Sequence, residues 1–138
     1  MIEEKVSYCG LYCGACPSFQ KETCLGCRSE DKSQSRKSKW SCKIRMCCIK
    51  VKKIKHCGQC EDFPCKEINR KLINSHQNDP RFEYRHKIPQ NVVALNKLGI
   101  RKWAQAQARL WSCGDCGNPI VFYYNKCSVC GKEKIKNV

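Results

Sequence analysis

Apolar residues recur with a helical period only in the second half of the chain. Ile68, Leu72 and Ile73 form one stripe, which predicts a helix opening at Pro64 and running to about His76. The step Asn78-Asp79-Pro80 breaks it, and residues 81–90 predict an irregular connection. Val92, Leu95 and Leu98 predict a second helix from Gln90 to Leu98, ended by Gly99. Ile100, Trp103, Ala106 and Leu110 share one face of a third, from Ile100 to about Trp111. Before Cys65 the bulky apolar residues stand singly, as Val6, Leu11, Phe19, Leu25, Trp40 and Ile44 do. The stretch 29–39 is polar and aperiodic, which predicts a solvated loop.

So thin an N-terminal core cannot offset a backbone ordering cost of roughly 1–2 kcal/mol per residue. Small domains in that position depend on cross-links. The chain has 138 residues and 15 cysteines, an odd number that argues against a closed disulfide framework. Met1-Ile-Glu-Glu-Lys-Val contains no apolar run of the kind a signal peptide needs, and no stretch approaches transmembrane length. A reducing, cytoplasmic setting with thiolate–metal sites is the expectation.

The cysteines fall into two groups. Cys113-Gly-Asp-Cys116 and Cys127-Ser-Val-Cys130 are two C-x2-C knuckles, each followed by glycine, which together present four thiolates. The β-branched and aromatic run 120–124 and the turn-forming Asn125-Lys126 lie between them, so the spacing predicts a β-hairpin zinc ribbon. The other group comprises Cys9, Cys13, Cys16, Cys24, Cys27, Cys42, Cys47, Cys57, Cys60 and Cys65, enough for two four-cysteine sites with two thiols over. Cys13, Cys16, Cys24 and Cys27 could form one site, with Cys42, Cys47, Cys57 and Cys60 or Cys65 in the other. Equally, Cys9 and Cys13 could meet Cys57 and Cys65. Cys48 is set aside, because adjacent residues rarely face one ion. His56 reads as an exposed neighbour of a ligand. About three zinc ions are expected, each site supplying on the order of 10–16 kcal/mol in small peptides. An iron–sulfur cluster in the N-terminal group, serving electron transfer or redox sensing, is the alternative, because Cys9-x3-Cys13-x2-Cys16 has the spacing of a cluster-binding triad.

Net charge is +15, and three four-thiolate zinc sites would lower it to about +9. Part of the lysine excess therefore balances thiolates. The rest lies between Lys32 and Lys55, where no acidic residue occurs, with Trp40 among the basic side chains. Such a stretch suits phosphates and stacked bases, or an acidic protein. No acid–base pair or activated nucleophile is visible, so an enzyme is not the expectation. Asp62 and Glu67 read as charges at a helix start.

The run Cys9-Gly-Leu-Tyr-Cys13-Gly-Ala-Cys16-Pro, with Cys24-x2-Cys27, Cys42-x4-Cys47, Cys57-Gly-Gln-Cys60 and Asp62-Phe-Pro-Cys65, resembles the prokaryotic family called domain of unknown function 3795. The likeness extends through Leu98-Gly-Ile-Arg-Lys-Trp103 to Arg109-Leu-Trp-Ser-Cys113, and some members carry the same C-terminal ribbon. The resemblance implies an archaeal or bacterial zinc protein without an established activity, and it pairs Cys42 with Cys47. The expected fold is a small metal-stabilised α+β protein. A cysteine-rich module spans 1–65, a helical segment 66–111 and a zinc ribbon 112–138.

Overall fold

The computed structural model describes residues 2–31, 33–34, 38–122, 124–127 and 129–132. It is helix-rich, with little strand. Among the described residues six α-helices follow in order: α1 Pro17–Gln20, α2 Lys43–Met46, α3 Lys66–Ile68, α4 Glu83–His86, α5 Ile88–Leu98 and α6 Ile100–Leu110. Strand pairing among the described residues is confined to three isolated antiparallel bridges, Val6 with Tyr12, Ser112 with Pro119 and Ile120 with Cys127.

Helices α2 and α3 both widen into π turns, Cys47–Val51 and Asn69–Ile73. The stripe read from Ile68 and Leu72 is buried as expected, but its helix opens at Lys66 rather than Pro64, with Cys65 as the extended cap residue. Residues 81–90 are helical rather than irregular. Asp79 accepts the Arg81 backbone N–H at 3.1 Å and so caps the 3-10 turn Pro80–Phe82, from which α4 continues. Pro89 sits in the first turn of α5, where its missing N–H is harmless. That helix therefore starts two residues before the expected Gln90.

Two apolar clusters hold these pieces. In the first, Trp103, Ala104 and Leu95 from α5 and α6 meet Val6, Tyr12 and Ala15 from the N-terminal turns, and Trp111, Ile120 and Phe122 from beyond α6. Phe122 stacks on Tyr84 with centroids 4.1 Å apart and meets Trp111 edge-on at 4.8 Å. In the second, Ile88 and Val92 pack with Ile44, Ile68, Leu72, Cys48 and Cys57. Helix α5 thus faces both clusters, and amides on it hold the cysteine loops. Asn91 donates to the Gly10 carbonyl and Asn96 to the Gly58 carbonyl, each at 2.9 Å. Gly10 has φ +93°, and a Cβ there would stand 3.3 Å from Val92 Cγ2, so α5 packs directly on that turn. Among the described residues no helix is long and apolar enough to cross a membrane.

Gly99 joins α5 to α6 at φ 85°, ψ 162°, a conformation essentially reserved for glycine. Open space surrounds its Cα, so a methyl group would meet no neighbour. The cost of Gly99→Ala is therefore backbone strain alone, on the order of 1–3 kcal/mol. A lower denaturation midpoint at unchanged metal content is the expected reading. An unchanged midpoint would place the turn in another conformation.

Within the stretch 29–39, Glu30, Asp31 and Ser33 are exposed as its composition suggests, whereas Gln34 is not. Gln34 is buried and accepts the Leu25 backbone N–H at 2.9 Å. Lys32 and residues 35–37 lie outside the described residues.

Candidate metal centre

Beyond α6 the chain turns back on itself. The Cys113 backbone N–H donates to the Asn118 carbonyl at 2.8 Å, and the Cys127 N–H to the Lys132 carbonyl at the same distance. Each knuckle then closes through glycine, with Gly117 N–H donating to Cys113 O at 2.9 Å and Gly131 N–H to Cys127 O at 3.1 Å. Both glycines have positive φ, +75° and +78°. The turn expected at Asn125 is present, with φ 54° and its N–H on the Val121 carbonyl at 3.0 Å.

These turns bring Cys113, Cys116, Cys127 and Cys130 together, with their four sulfurs within 4.8 Å of one another. Two contacts are closer, Cys113 to Cys130 at 3.5 Å and Cys116 to Cys127 at 3.4 Å. A tetrahedral ion with metal–sulfur bonds of about 2.3 Å spaces its sulfurs at about 3.8 Å. The sulfurs already stand near that spacing. Among the described residues this is the one set of three or more such side chains drawn close enough to hold a single ion.

Donors around the sulfurs favour thiolate. Val129 and Cys130 backbone N–H groups reach Cys127 Sγ at 3.4 and 3.5 Å, and Asn118 Nδ2 reaches Cys116 Sγ at 3.3 Å. The Asn118 side chain, then its backbone N–H and the Cys127 thiol, bring Cys116 down to about 6. Backbone N–H groups of Cys116 and Asp115 lower Cys113. Cys130 moves the other way. The Lys132 backbone lowers it, but contact with Cys113, desolvation and the Cys127 and Cys116 thiols push it up to about 12. Without metal, Cys113 and Cys116 thus give up a proton more readily than Cys130. An ion would displace the remaining protons.

The N-terminal cysteines are spread over turns and helix starts. Cys13 opens the 3-10 turn Cys13–Ala15, while Cys16, Cys42 and Cys65 precede α1, α2 and α3. Cys24 and Cys27 lie on the loop after α1, Cys47 starts a π turn, and Cys57 and Cys60 bracket the turn Cys57–Gln59. Two thiol neighbourhoods result. Burial first, then the charges of Cys27 and Cys42, push Cys9 up to about 12 against a hydrogen bond with Ser7 Oγ at 3.1 Å. Contact with Cys27 raises Cys13 well above the usual thiol range, and Lys71 Nζ lies 3.4 Å from Cys42 Sγ. In the second, burial and then Cys48, Cys60 and Cys65 raise Cys47.

Cys48 belongs to this second neighbourhood, which sequence reasoning missed. It is 1% exposed, and its sulfur lies 3.6 Å from that of Cys57. Their mutual hydrogen bond raises Cys57 and lowers Cys48. The π turn Cys47–Val51 sets aside the rule that adjacent cysteines face apart, because both line one cavity with Cys57, Cys60 and Cys65. Such turns favour functional positions, but nothing in the residue types announces one.

His56 is buried rather than exposed, and its Nδ1 accepts the Gly58 N–H at 3.1 Å. Burial, then the Arg28 guanidinium, hold it below the ordinary histidine value. The unfolded chain therefore binds this proton more readily than the folded one. The folded state has its full stability above about pH 6.5 and loses stability as pH falls below that value. Comparing denaturation midpoints at about pH 7.5 and 5.5 for wild type and His56→Gln isolates the term. The wild type should lose more stability on acidification than the variant, and equal losses would refute a buried neutral ring.

The basic stretch is thinner than its sequence implies. Arg45 is buried, with its Nε on the Cys27 carbonyl at 2.8 Å and its guanidinium against Glu30 at 2.9 Å. It also lies over the Trp40 ring at 4.9 Å, so the proposed stacking platform is covered on that face. Lys52 pairs with Asp62 at 2.9 Å, which makes Asp62 a loop partner rather than a helix-start charge. Glu67 does stand in the first turn of α3, paired with Arg70. Lys43, Lys50, Lys53 and Lys55 are exposed. Of the ribbon aromatics, Phe122 is buried, Tyr124 is 67% exposed and Tyr123 lies outside the described residues.

No curated protein and no solved structure matches the chain. The model of a family described as a protein of unknown function, DUF3795, matches residues 5–70. That span holds every N-terminal cysteine and both thiol neighbourhoods, whereas the four-cysteine centre lies outside it. Over residues 5–70 this chain is thus similar to the DUF3795 family.

Proposed function

We propose that the chain is a non-enzymatic zinc protein whose C-terminal centre, Cys113, Cys116, Cys127 and Cys130, holds a structural ion and closes that segment as a β-hairpin ribbon. Four sulfurs within 4.8 Å of one another carry this reading. A four-sulfur tetrahedron with no open position suits a structural zinc, since a catalytic one keeps a position for water. The bridge between Ile120 and Cys127 is where the hairpin would pair.

Nucleic acid is the partner that this chemistry suits. Exposed Lys43, Lys50, Lys53 and Lys55 lie on one stretch, and Tyr124 offers an exposed ring on the ribbon. Charge of this kind grips phosphates without reading sequence, so affinity should fall steeply with salt. In a titration of the zinc-loaded chain against mixed DNA and RNA oligonucleotides, replacing the four lysines with glutamine should weaken binding and flatten its salt dependence. No binding, or binding indifferent to salt, would remove nucleic acid from the account. Binding to an acidic protein alone would redirect it.

A further inference from the structure

A cavity of about 230 Å³ opens among α2, the π turn Cys47–Val51, the loop 57–65 and α3, and five cysteines line it. Its remaining wall is largely apolar, with Ile44, Ile54, Phe63 and Ile68. It lies outside the four-cysteine centre and shares no residue with it. Lys43, Lys52 and Glu67 complete the lining, and five thiols, two of them buried and three half-buried, converge on this one space.

The spacing of the thiols narrows the ligand. A single tetrahedral ion needs four sulfurs about 3.8 Å apart. Among the described residues only the C-terminal set is gathered that closely, and no three of the cavity thiols are. These sulfurs instead surround an open volume. A cluster of several irons bridged by sulfide holds its terminal thiolates wider apart than one ion does, and its apolar surroundings protect it from hydrolysis.

We propose that this cavity is a second metal site, distinct from the C-terminal one, which takes a [4Fe–4S] cluster on Cys47, Cys57, Cys60 and Cys65. Cys57-Gly-Gln-Cys60 supplies two ligands through the C-x2-C turn that such clusters use, and Cys47 and Cys65 close the cavity from the starts of the π turn and of α3. Cys48 is not a ligand. Its sulfur stands 3.6 Å from that of Cys57. At that distance the Cys48 thiol can donate a hydrogen bond to a ligating Cys57 sulfur. A hydrogen bond to a ligating sulfur stabilises the more negative, reduced cluster and raises its potential.

The test is iron, sulfide and zinc content, with visible absorption and redox titration, on the full chain purified without oxygen from iron-supplied cells. Wild type should carry iron and sulfide in equal amounts, as one cluster per chain, with broad visible absorption that dithionite bleaches. Cys116→Ser should keep that cluster while losing zinc, which separates this site from the C-terminal reading. Cys60→Ser and Cys65→Ser should each lose most of the iron. Cys48→Ala should keep the iron and shift the potential more negative. A colourless wild type with zinc in the cavity would overturn the proposal, as would iron unchanged in both serine variants. Should those variants fail to fold, anaerobic reconstitution of wild type with ferrous iron and sulfide decides, and no chromophore would sink the site.

Discussion

Replacing Cys116 with serine should strip the C-terminal centre of its ion and unfold the chain beyond α6, while leaving α5 and α6 in place. The centre has four thiolates, and a structural site of this kind rarely survives with three. Cys116 is the sulfur most prepared for an ion, since Asn118 brings it down to about 6. Ile120 and Phe122 anchor the middle of the segment, but the two knuckles have little else to hold them. Ile120, Val121 and Phe122 are buried, but Ile120 and Phe122 pack into a core shared with α5 and α6. Two isolated bridges are all its pairing among the described residues. Against that, ion binding is worth on the order of 10–16 kcal/mol in small zinc peptides and is itself the folding energy. Zinc content and amide hydrogen exchange check the result. The variant should lose one zinc per chain and the protection of the ribbon amides, with α6 still protected. Wild-type zinc and protection together would refute the ribbon.

The second large effect belongs to the helical body. Trp103 is 1% exposed and lies in the cluster that joins Val6, Tyr12, Leu95 and Trp111, where the N-terminal turns, α5 and the segment after α6 meet. Trp103→Ala removes the largest buried side chain of the protein and leaves a void that three separate segments cannot all collapse into. The expected cost is about 3–5 kcal/mol. A small protein commonly has only about 5–15 kcal/mol in total, so the variant should unfold at much lower denaturant. The four thiols lie beyond α6, and although Cys113 and Cys127 border the same cluster, zinc stoichiometry under native conditions should hold while the chain stays folded. A loss below about 1 kcal/mol would mean that metal sites, and not this core, carry the stability.

The helices and the C-terminal centre were legible for a simple reason. Ile68 and Leu72, then Val92 and Leu95, repeat at helical spacing, and two C-x2-C pairs leave few geometries for four thiolates. Residues 81–90 were not legible, because their order rests on one carboxylate. Asp79 caps the turn at Pro80, and α4 follows without any apolar period of its own. His56 was misread as exposed, while Cys48, set aside as a ligand, is buried beside Cys57. Each looked peripheral beside a better ligand, and each is buried by a backbone shape, the π turn for one and the Cys57–Gln59 turn for the other, that residue types do not encode. Arg45 shows the same limit on charge counting. Counted as part of a basic face, it is buried under Trp40 and bound to Glu30 and the Cys27 carbonyl.

The pairing of the N-terminal thiols lay further out of reach. Their spacing allows several partitions. Cys9 lies near Cys27 and Cys42, and Cys13 near Cys27, Cys9 and Cys16, while Cys47, Cys48, Cys57, Cys60 and Cys65 share a cavity. Such sets depend on how α5 draws the loops at Gly10 and Gly58 together, and that long-range contact leaves no mark on cysteine spacing.

Zinc K-edge absorption on the chain purified without oxygen, measured beside Cys116→Ser, tests the central claim most directly. The account predicts zinc in a shell of four sulfurs at about 2.3 Å, with one zinc per chain lost in the variant. Zinc bound through nitrogen or oxygen, no zinc at all, or a spectrum and content unchanged by Cys116→Ser would contradict it.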